Sequence, residues 1–185
     1  MSDLWVFAYG SLMWRPGFEF AERQTARLHG FHRSLCVYSH HYRGTPEYPG
    51  LVLGLDRGGS CPGVAYRVTA CQRASVHAYL TQRELITAVY HERFLPVRLV
   101  DGHQIRALAY VADRSHPQYA GRLDRAARLA LVRQGCGAAG PNADYVRSTL
   151  HHLRALGLDD AQLGWLDRQL EPAGKLNSRG VTPPT

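Results

Sequence analysis

The first residues of the chain constrain its fold most, because they join an apolar strand to a tight loop. The run from Leu4 to Ala8 is rich in aromatic and β-branched residues, and Tyr9-Gly10-Ser11-Leu12 follows it. The run predicts a fully buried strand. Glycine adopts backbone conformations that are closed to other residues, so we expect the N–H groups from Gly10 to Leu12 to converge on a bound anion. An ordinary strand-ending turn is the alternative, since Gly and Ser are common in turns of every kind.

Length and cysteine content bound the class of protein. A chain of 185 residues fits one domain that buries a core without metal or disulfide support. We place this domain at residues 1–170 and a loose tail at residues 171–185. The four cysteines have no Cys-x-x-Cys spacing and the start has no signal-peptide pattern, so we expect free thiols in the cytoplasm. No apolar stretch approaches the roughly 20 residues that span a bilayer, so we expect no membrane partner.

The positive charge of the chain favours an anionic small molecule over nucleic acid as its partner, with solubility alone as the alternative. The sequence has 22 Lys plus Arg against 15 Asp plus Glu, which gives a formal net charge of +7. The arginines are dispersed, without a basic block or a nucleic-acid-reading motif, so we expect no nucleic-acid binding. Attraction of an acidic metabolite is the simpler interpretation of the basic surface.

A polar loop from Ser39 to Gly50 supplies a candidate anion ligand. It contains two prolines and two glycines, and loops of this length are often functional. Arg43 is of interest because a guanidinium holds a carboxylate through two parallel hydrogen bonds. A solvated surface arginine is the alternative. The adjacent His40 and His41 point apart on an extended chain and have no third ligand at a diagnostic spacing, so we predict no metal site.

Short apolar runs predict further strands. The run from Thr25 to Val37 is compatible with one or two strands, and Leu51 to Leu55 and Gly63 to Val68 predict two antiparallel strands around a turn at Gly58-Gly59. A second hairpin is predicted from Phe94 to Val111, with its turn at Asp101-Gly102.

Helical patterns occupy the second half of the chain. One helix is predicted from Asp124 to Gln134, a second begins at Pro141-Asn142 and ends at Gly157, and a third is capped by Asp159 and runs through Leu170. Together with the strands, these helices predict an α+β protein.

An earlier helix, predicted from Gln72 to Thr87, carries a candidate catalytic carboxylate. Glu84 continues the face that begins with Val76 and Leu80 at helical spacing. Apolar surroundings raise the pKa of a carboxyl group, which suits proton exchange near neutral pH. Pairing of Glu84 with Arg83 at the helix edge is the structural alternative. Glu92 lies in a more polar neighbourhood and is the weaker candidate.

An ordered series of motifs resembles one known family. The motifs span about Leu4 to Leu170 and are Phe7-Ala8-Tyr9-Gly10-Ser11-Leu12-Met13-Trp14, Tyr42-Arg43-Gly44-Thr45-Pro46 with Pro49-Gly50, Gly63-Val64-Ala65-Tyr66-Arg67-Val68, Tyr79-Leu80-Thr81-Gln82-Arg83-Glu84, His116-Pro117-Gln118-Tyr119 and Gly140-Pro141-Asn142-Ala143-Asp144-Tyr145. This series resembles the ChaC-type γ-glutamylcyclotransferases, the glutathione-degrading branch of a wider cyclotransferase fold. The resemblance implies a small mixed β-barrel with flanking helices.

The resemblance also implies a reaction and a site. It implies cleavage of glutathione to 5-oxoproline and Cys-Gly, with Tyr9 to Leu12 at the γ-glutamyl group and Glu84 as the catalytic carboxylate. We further expect Tyr119 and Tyr145 to line the pocket, with core packing as the alternative for both. Leu85 to Tyr90 follow the glutamate where many relatives have glycines, which is similar to the bacterial form and leaves the substrate preference open.

The chemistry of such a reaction needs few protein groups. The α-amine attacks the γ-carbonyl of the same molecule, so no nucleophilic side chain, metal or organic cofactor is required. Ser11 has no Gly-x-Ser-x-Gly surroundings, and we interpret it as a loop residue. Two further hypotheses stay open: a cyclotransferase for other γ-glutamyl amines, and a catalytically idle module that binds an anion on the same loop.

Overall fold

Five strands form the scaffold in the computed structural model, which describes residues 2–85 and 88–170. They are β1 (Leu4–Ala8), β2 (Glu22–Ser39), β3 (Gly50–Val68), β4 (Tyr90–Leu99) and β5 (Gln104–Ala112). The strands make a closed barrel in the order β1-β3-β2-β4-β5. Parallel pairing of β1 with β5 closes it, with Trp5 opposite Ala107 and Val6 opposite Leu108, while the other neighbours in this order are antiparallel. The predicted small mixed barrel is therefore confirmed.

β2 and β3 are long, continuous strands that bend together. Gly58 and Gly59 were expected to reverse the chain, but the residues on both sides of them pair with β2, Arg57 with Phe31 and Ser60 with His29. Gly58 and Gly59 thus lie opposite Gly30, and all three have positive φ, at 102°, 70° and 82°. Two residues opposite one define a β-bulge, which bends a strand without ending it. The predicted turn is wrong because these glycines bend the strand pair.

Four helices and a short ribbon complete the fold. The helices are α1 (Arg73–Glu84), α2 (Arg125–Gln134), α3 (Asn142–Ala155) and α4 (Ala161–Leu170), and the ribbon pairs β6 (Cys136–Gly137) with β7 (Gly140–Pro141). None of the helices in the described ranges is long and apolar enough to cross a lipid bilayer. The α1 prediction extended to Thr87, which lies outside the described residues, as does the predicted tail at 171–185.

Aspartates cap the starts of two helices. Asp124, at which the first of them was predicted to begin, caps α2, since its carboxylate accepts a hydrogen bond from the Ala127 amide at 2.7 Å. Asp160, rather than the predicted Asp159, caps α4 by accepting from the amides of Gln162 and Leu163 at 3.1 and 3.0 Å. The Asp159 carboxylate instead accepts from the amide of Asp160 at 2.9 Å, so the Asp159 prediction was one residue early.

A buried asparagine fixes α3 against the barrel. Asn142 is fully buried, and its side chain accepts from the Leu51 amide at 2.7 Å and donates to the Leu51 carbonyl at 2.8 Å. The Asn142 side chain thus takes the place of a neighbouring strand and satisfies the backbone groups of Leu51, which could not reach water. Tyr145 lies one helical turn later, and its hydroxyl accepts a hydrogen bond from the amide of Leu53, which is two residues after Leu51 on β3. This contact brings α3 to the end of the barrel that holds the candidate site.

Candidate functional site

A cavity of about 870 Å³ opens where β1 ends. The end of β1, the loop after β2, the end of α1 and the start of α3 meet around it. It brings together most of the residues predicted from the sequence, namely Tyr9, Gly10, Ser11, Leu12, Arg43, Glu84 and Tyr145. The structure does not bring Tyr119 to the wall, although its neighbour Gln118 lies there.

Arg33 and a short helical turn shape the loop after β1. The buried guanidinium of Arg33 donates to the Tyr9 carbonyl at 2.6 Å. Residues Ser11–Met13 then form one turn of 3₁₀-helix, in which the Met13 amide donates to the Gly10 carbonyl at 2.9 Å. Among the residues that the structure describes, the amides of Ser11 and Leu12 have no acceptor. Unpaired amides at the start of a helical turn are well placed to receive an anion.

Gly10 lies directly before the 3₁₀-turn and has an irregular backbone conformation. Its φ is −128° and its ψ is −137°, so it is not in the left-handed region. A side-chain Cβ at Gly10 would meet only Leu53 Cδ1, at 3.9 Å. The 3₁₀-turn and the hydrogen bond from Arg33 to the Tyr9 carbonyl hold the loop on either side of this glycine.

Glu84 ends α1 and faces the cavity. Burial raises the pKa of its carboxyl group, and the nearby Arg83, whose Nε lies 3.2 Å from Oε1, offsets part of that shift. Both alternatives considered for Glu84 are therefore present, an inward carboxylate and a pair with Arg83. Arg83 also donates to the Ser11 hydroxyl at 3.1 Å and to the Arg15 carbonyl at 2.8 Å. It thus fixes the carboxylate relative to the loop.

Tyrosines form much of the remaining wall. The Tyr90 hydroxyl donates to the Leu53 carbonyl at 2.8 Å, and the Tyr145 hydroxyl accepts from the Leu53 amide at 3.2 Å. Burial raises the pKa of Tyr145 to about 12 and that of Tyr9 well above its ordinary value. These phenols therefore stay protonated at neutral pH. Tyr145 combines both roles considered for it, since it packs against the barrel and lines the cavity.

Arg43 is partly committed to the protein. Its Nη1 donates to the carbonyls of Ala139 and Pro141, at 2.5 and 3.3 Å, and its guanidinium lies 5.4 Å from the centre of the Tyr145 ring. These contacts differ from those of a freely solvated arginine. Within the described residues, Nε and Nη2 have no acceptor and can bind a carboxylate.

Tyr119 is held away from the cavity by a buried carboxylate, Asp56, which also pairs with the half-exposed Arg114. Its hydroxyl donates to Asp56 Oδ2 at 2.9 Å, and Arg114 Nε donates to Asp56 Oδ1 at 2.7 Å. Burial alone would raise the pKa of Asp56, but the hydrogen bonds from Arg114 and Tyr119 outweigh it and lower that pKa. Tyr119 therefore fastens the loop after β5 to the side of the barrel.

The lining groups favour an anionic ligand that forms hydrogen bonds. Among them, Arg15, Arg43 and Arg83 carry positive charge and Glu84 is the acidic residue. Within the described ranges, no three His, Cys, Asp or Glu side chains are grouped closely enough to hold a metal ion. Sequence reasoning missed Tyr90 and Tyr110 in the cavity wall and Arg33 behind the loop, because strand patterns predict burial without showing which buried residues border a cavity or support it.

Comparison with known proteins identifies the family. The family model described as "ChaC-like protein" matches residues 4–172. A relative from Escherichia coli (strain K12), named glutathione-specific gamma-glutamylcyclotransferase, is 36% identical over 157 residues, which cover 85% of this chain and 68% of that protein. Human glutathione-specific gamma-glutamylcyclotransferase 1 is 33% identical over 148 residues, which cover 77% of this chain and 66% of the human protein, just under two thirds of its length.

A solved structure shares the fold. The crystal structure of a yeast gamma-glutamylcyclotransferase specific to glutathione superposes with a TM-score of 0.81 at 20% sequence identity, over 91% of this chain and 95% of the yeast chain. At that identity the likeness concerns the fold, and it agrees with the barrel described above. The family match and the sequence relatives together show that this chain belongs to the ChaC-like family.

Proposed function

We propose that this protein is a glutathione-specific γ-glutamylcyclotransferase, which converts glutathione to 5-oxoproline and Cys-Gly. The observation that carries the proposal is Glu84, the acidic group of a cavity whose lining includes arginines and tyrosines, in a chain whose relatives have this activity in their names. Arg83 holds the carboxylate beside the Tyr9 to Leu12 loop. The site thus combines a proton-transfer group with donors for an anionic substrate.

Ring closure depends on how the substrate is held. The α-amine nitrogen and the γ-carbonyl carbon belong to one flexible chain, so formation of the new N–C bond closes a five-membered ring. The old amide bond then breaks and releases the amine of Cys-Gly. Holding the ring-closing conformation is an orientation effect, worth on the order of 7–11 kcal/mol in well-aligned intramolecular reactions. We assign this task to the tyrosine wall and the loop.

Glu84 acts as the general base and acid in this proposal. The substrate amine is an ammonium group at neutral pH, with an ordinary pKa of about 8, and it becomes a nucleophile only after losing a proton. Burial raises the pKa of Glu84 towards the range in which one carboxyl group both accepts and returns protons. Glu84 therefore removes a proton from the attacking nitrogen and delivers one to the departing nitrogen.

The loop and Arg43 bind the charged parts of the substrate. Attack on the carbonyl gives a tetrahedral intermediate with a negatively charged oxygen, and the unpaired amides of Ser11 and Leu12 are donors for it or for the α-carboxylate. The Nε and Nη2 groups of Arg43 are donors for a carboxylate. We do not assign Tyr119 to substrate binding, since its hydroxyl is bonded to Asp56.

We also propose that the protein works in the cytoplasm on a small-molecule substrate. All four cysteines are free, two of them buried and two exposed. Free thiols are typical of reducing compartments, where glutathione is kept as the thiol. Cell fractionation is expected to place the protein with cytoplasmic marker enzymes.

Turnover of defined substrates tests the proposal. Purified protein is incubated separately with glutathione and γ-glutamyl-alanine, and release of 5-oxoproline and of Cys-Gly or alanine is followed. We expect equal amounts of 5-oxoproline and Cys-Gly from glutathione, and a lower kcat/KM for γ-glutamyl-alanine. A higher kcat/KM for γ-glutamyl-alanine would instead assign the protein to other γ-glutamyl compounds.

Paired substitutions test the role of Glu84. Glu84→Gln keeps the shape of the side chain and is expected to lower kcat by roughly 100-fold or more. Glu47→Gln, on an exposed residue that does not line the cavity, is the matched control and is expected to leave kcat unchanged. Circular dichroism checks that both variants are folded. Full activity of a folded Glu84→Gln protein would contradict the assigned base, and binding of glutathione by an inactive wild-type protein would favour an idle binding module.

A further inference from the structure

Arg33 is a buried cation directly behind the candidate site. Its side chain is 3% exposed and does not line the cavity. Nε donates to the Tyr9 carbonyl at 2.6 Å, and Nη2 donates to the Pro62 carbonyl at 2.7 Å. A charged group is costly to bury unless it is well paired. Its retention at this position points to a role at the site.

The negative charge that faces Arg33 is partly engaged elsewhere. Asp160 Oδ2 lies 3.4 Å from Nη1 of Arg33, which is longer than a typical charge-assisted hydrogen bond. The other carboxylate oxygen of Asp160 accepts from the amides of Gln162 and Leu163 at the start of α4. The remaining contacts of the guanidinium are two backbone carbonyls and the uncharged Sδ of Met13, at 4.0 Å. Asp160 therefore neutralises the charge of Arg33 incompletely.

The peptide group between Tyr9 and Gly10 connects this charge to the cavity. The peptide bond is trans, so the Gly10 N–H points away from the Tyr9 carbonyl. Because that carbonyl points to Arg33, the N–H points to the opposite side, and Gly10 lines the cavity. Over the ranges that the structure describes, this amide has no acceptor. It therefore joins the amides of Ser11 and Leu12 as a donor for a bound anion.

A cation that is bonded to a carbonyl strengthens the donor at the other end of the same peptide group. The positive charge draws electron density towards the carbonyl oxygen, which makes the amide hydrogen more positive, so the hydrogen bonds on the two sides reinforce each other. The charge of Arg33 also favours a negatively charged oxygen at the loop directly, because water screens a buried charge poorly. Both effects have the same sign, and both are in place before substrate binds.

We propose that Arg33 is a positioning residue that directs the Gly10 amide into the cavity and, through its charge, strengthens that amide as a donor to a negatively charged oxygen. The inference rests on the proposed function. Two oxygens of the reacting substrate have this chemistry, that of the tetrahedral intermediate and that of the α-carboxylate. Stabilisation of the intermediate raises kcat, whereas stabilisation of the carboxylate, which is present from the start, lowers KM.

Substitutions of Arg33 test the inference by steady-state kinetics. Arg33→Met removes the charge, whereas Arg33→Lys keeps it and gives up the planar donor group. Arg128→Met is the matched control, because Arg128 is also buried and donates to a backbone carbonyl, that of Leu123 at 2.9 Å, but does not line the cavity. We expect kcat/KM for glutathione to fall about 100-fold in Arg33→Met, about tenfold in Arg33→Lys, and not in Arg128→Met. Rates are referred to the folded fraction measured by circular dichroism.

A substitution at Asp160 separates charge from position and leaves Arg33 in place. Serine is a good helix cap, so Asp160→Ser is expected to stay folded and is informative even if Arg33→Met does not fold. It removes the negative charge that faces Arg33, so we expect kcat/KM to rise about twofold or more. If Arg33 acted only by its shape, loss of this partner would leave kcat/KM unchanged or lower it.

The outcomes distinguish failure of this inference from failure of the proposed function. If the wild type releases no 5-oxoproline from glutathione or γ-glutamyl-alanine, the proposed function is wrong and the inference falls with it. If the wild type is active, the inference alone is wrong when folded Arg33→Met keeps its kcat/KM, when Arg33→Lys is no better than Arg33→Met, or when Asp160→Ser shows no rise. With the expected pattern, a change confined to kcat identifies the intermediate as the stabilised anion, and a change confined to KM identifies the α-carboxylate.

Discussion

Replacement of Arg33 by methionine is expected to destabilise the protein and to release the loop after β1. The Arg33 side chain is 3% exposed and donates to the carbonyls of Tyr9 and Pro62 at 2.6 and 2.7 Å. Methionine keeps much of the apolar stem but leaves both acceptors without their charged donor. Hydrogen bonds to charged groups contribute about 1.5–3 kcal/mol each, so we expect a loss of about 3–5 kcal/mol in the free energy of unfolding.

The third partner of Arg33 adds less to this loss. Asp160 lies 3.4 Å from Nη1 and still accepts two backbone amides of α4 when the arginine is gone. Urea denaturation followed by circular dichroism measures the change. Arg154→Met is the control, because Arg154 is exposed and makes no side-chain hydrogen bond or ion pair with the described residues, so the expected loss is below about 1 kcal/mol. A loss below about 1 kcal/mol for Arg33→Met would refute this reasoning.

Three other substitutions give separate tests. Arg43→Lys removes the planar donor group and is expected to raise KM for glutathione about tenfold while the protein stays folded; an unchanged KM would exclude Arg43 from binding. Tyr119→Phe removes a hydrogen bond to the buried Asp56, and the free energy of unfolding measured with urea is expected to fall by about 1.5–3 kcal/mol while kcat and KM stay unchanged. A change in KM would show that Tyr119 contributes to substrate binding. Burial raises the pKa of the Glu84 carboxyl group above its ordinary value of 4.5, so this group binds its proton more tightly in the folded than in the unfolded protein. Ionisation of Glu84 at higher pH therefore lowers the free energy of unfolding. Glu84→Gln is therefore expected to be more stable than the wild type at pH 8, with a difference that fades towards pH 4; lower stability at pH 8 would contradict the desolvated carboxylate.

Local chemistry explains the parts of the fold that the sequence predicts well. The hairpin of β4 and β5 has its turn at Asp101-Gly102, and the Asp124 cap of α2 uses a side chain three residues from its amide donor. These features are set by neighbouring residues. The bulge at Gly58-Gly59 is different, because positive φ suits both a reversing turn and a bulge. Only pairing with the distant Gly30 segment decides between them.

Local sequence patterns likewise predict some residues of the candidate site but not others. Glu84 is predictable from helical spacing, and the loop from Tyr9 to Leu12 from its composition. Arg33 could be noticed only as a charged residue inside an apolar strand, and its partner Asp160 lies 127 residues later. The cavity position of Tyr110 likewise depends on how β5, β4 and α1 meet. Closure of the barrel creates these contacts, and no local pattern encodes it.

Isotope labelling tests whether the substrate's own amine attacks the γ-carbonyl in this cavity. The reaction is run with glutathione in water enriched in ¹⁸O, and the products are analysed by mass spectrometry. Attack by the amine retains the original carbonyl oxygen, so we expect unlabelled 5-oxoproline together with an equal amount of Cys-Gly, and little of either from Glu84→Gln. Release of glutamate that carries ¹⁸O in its γ-carboxylate would show attack by water and would exclude ring closure by the amine.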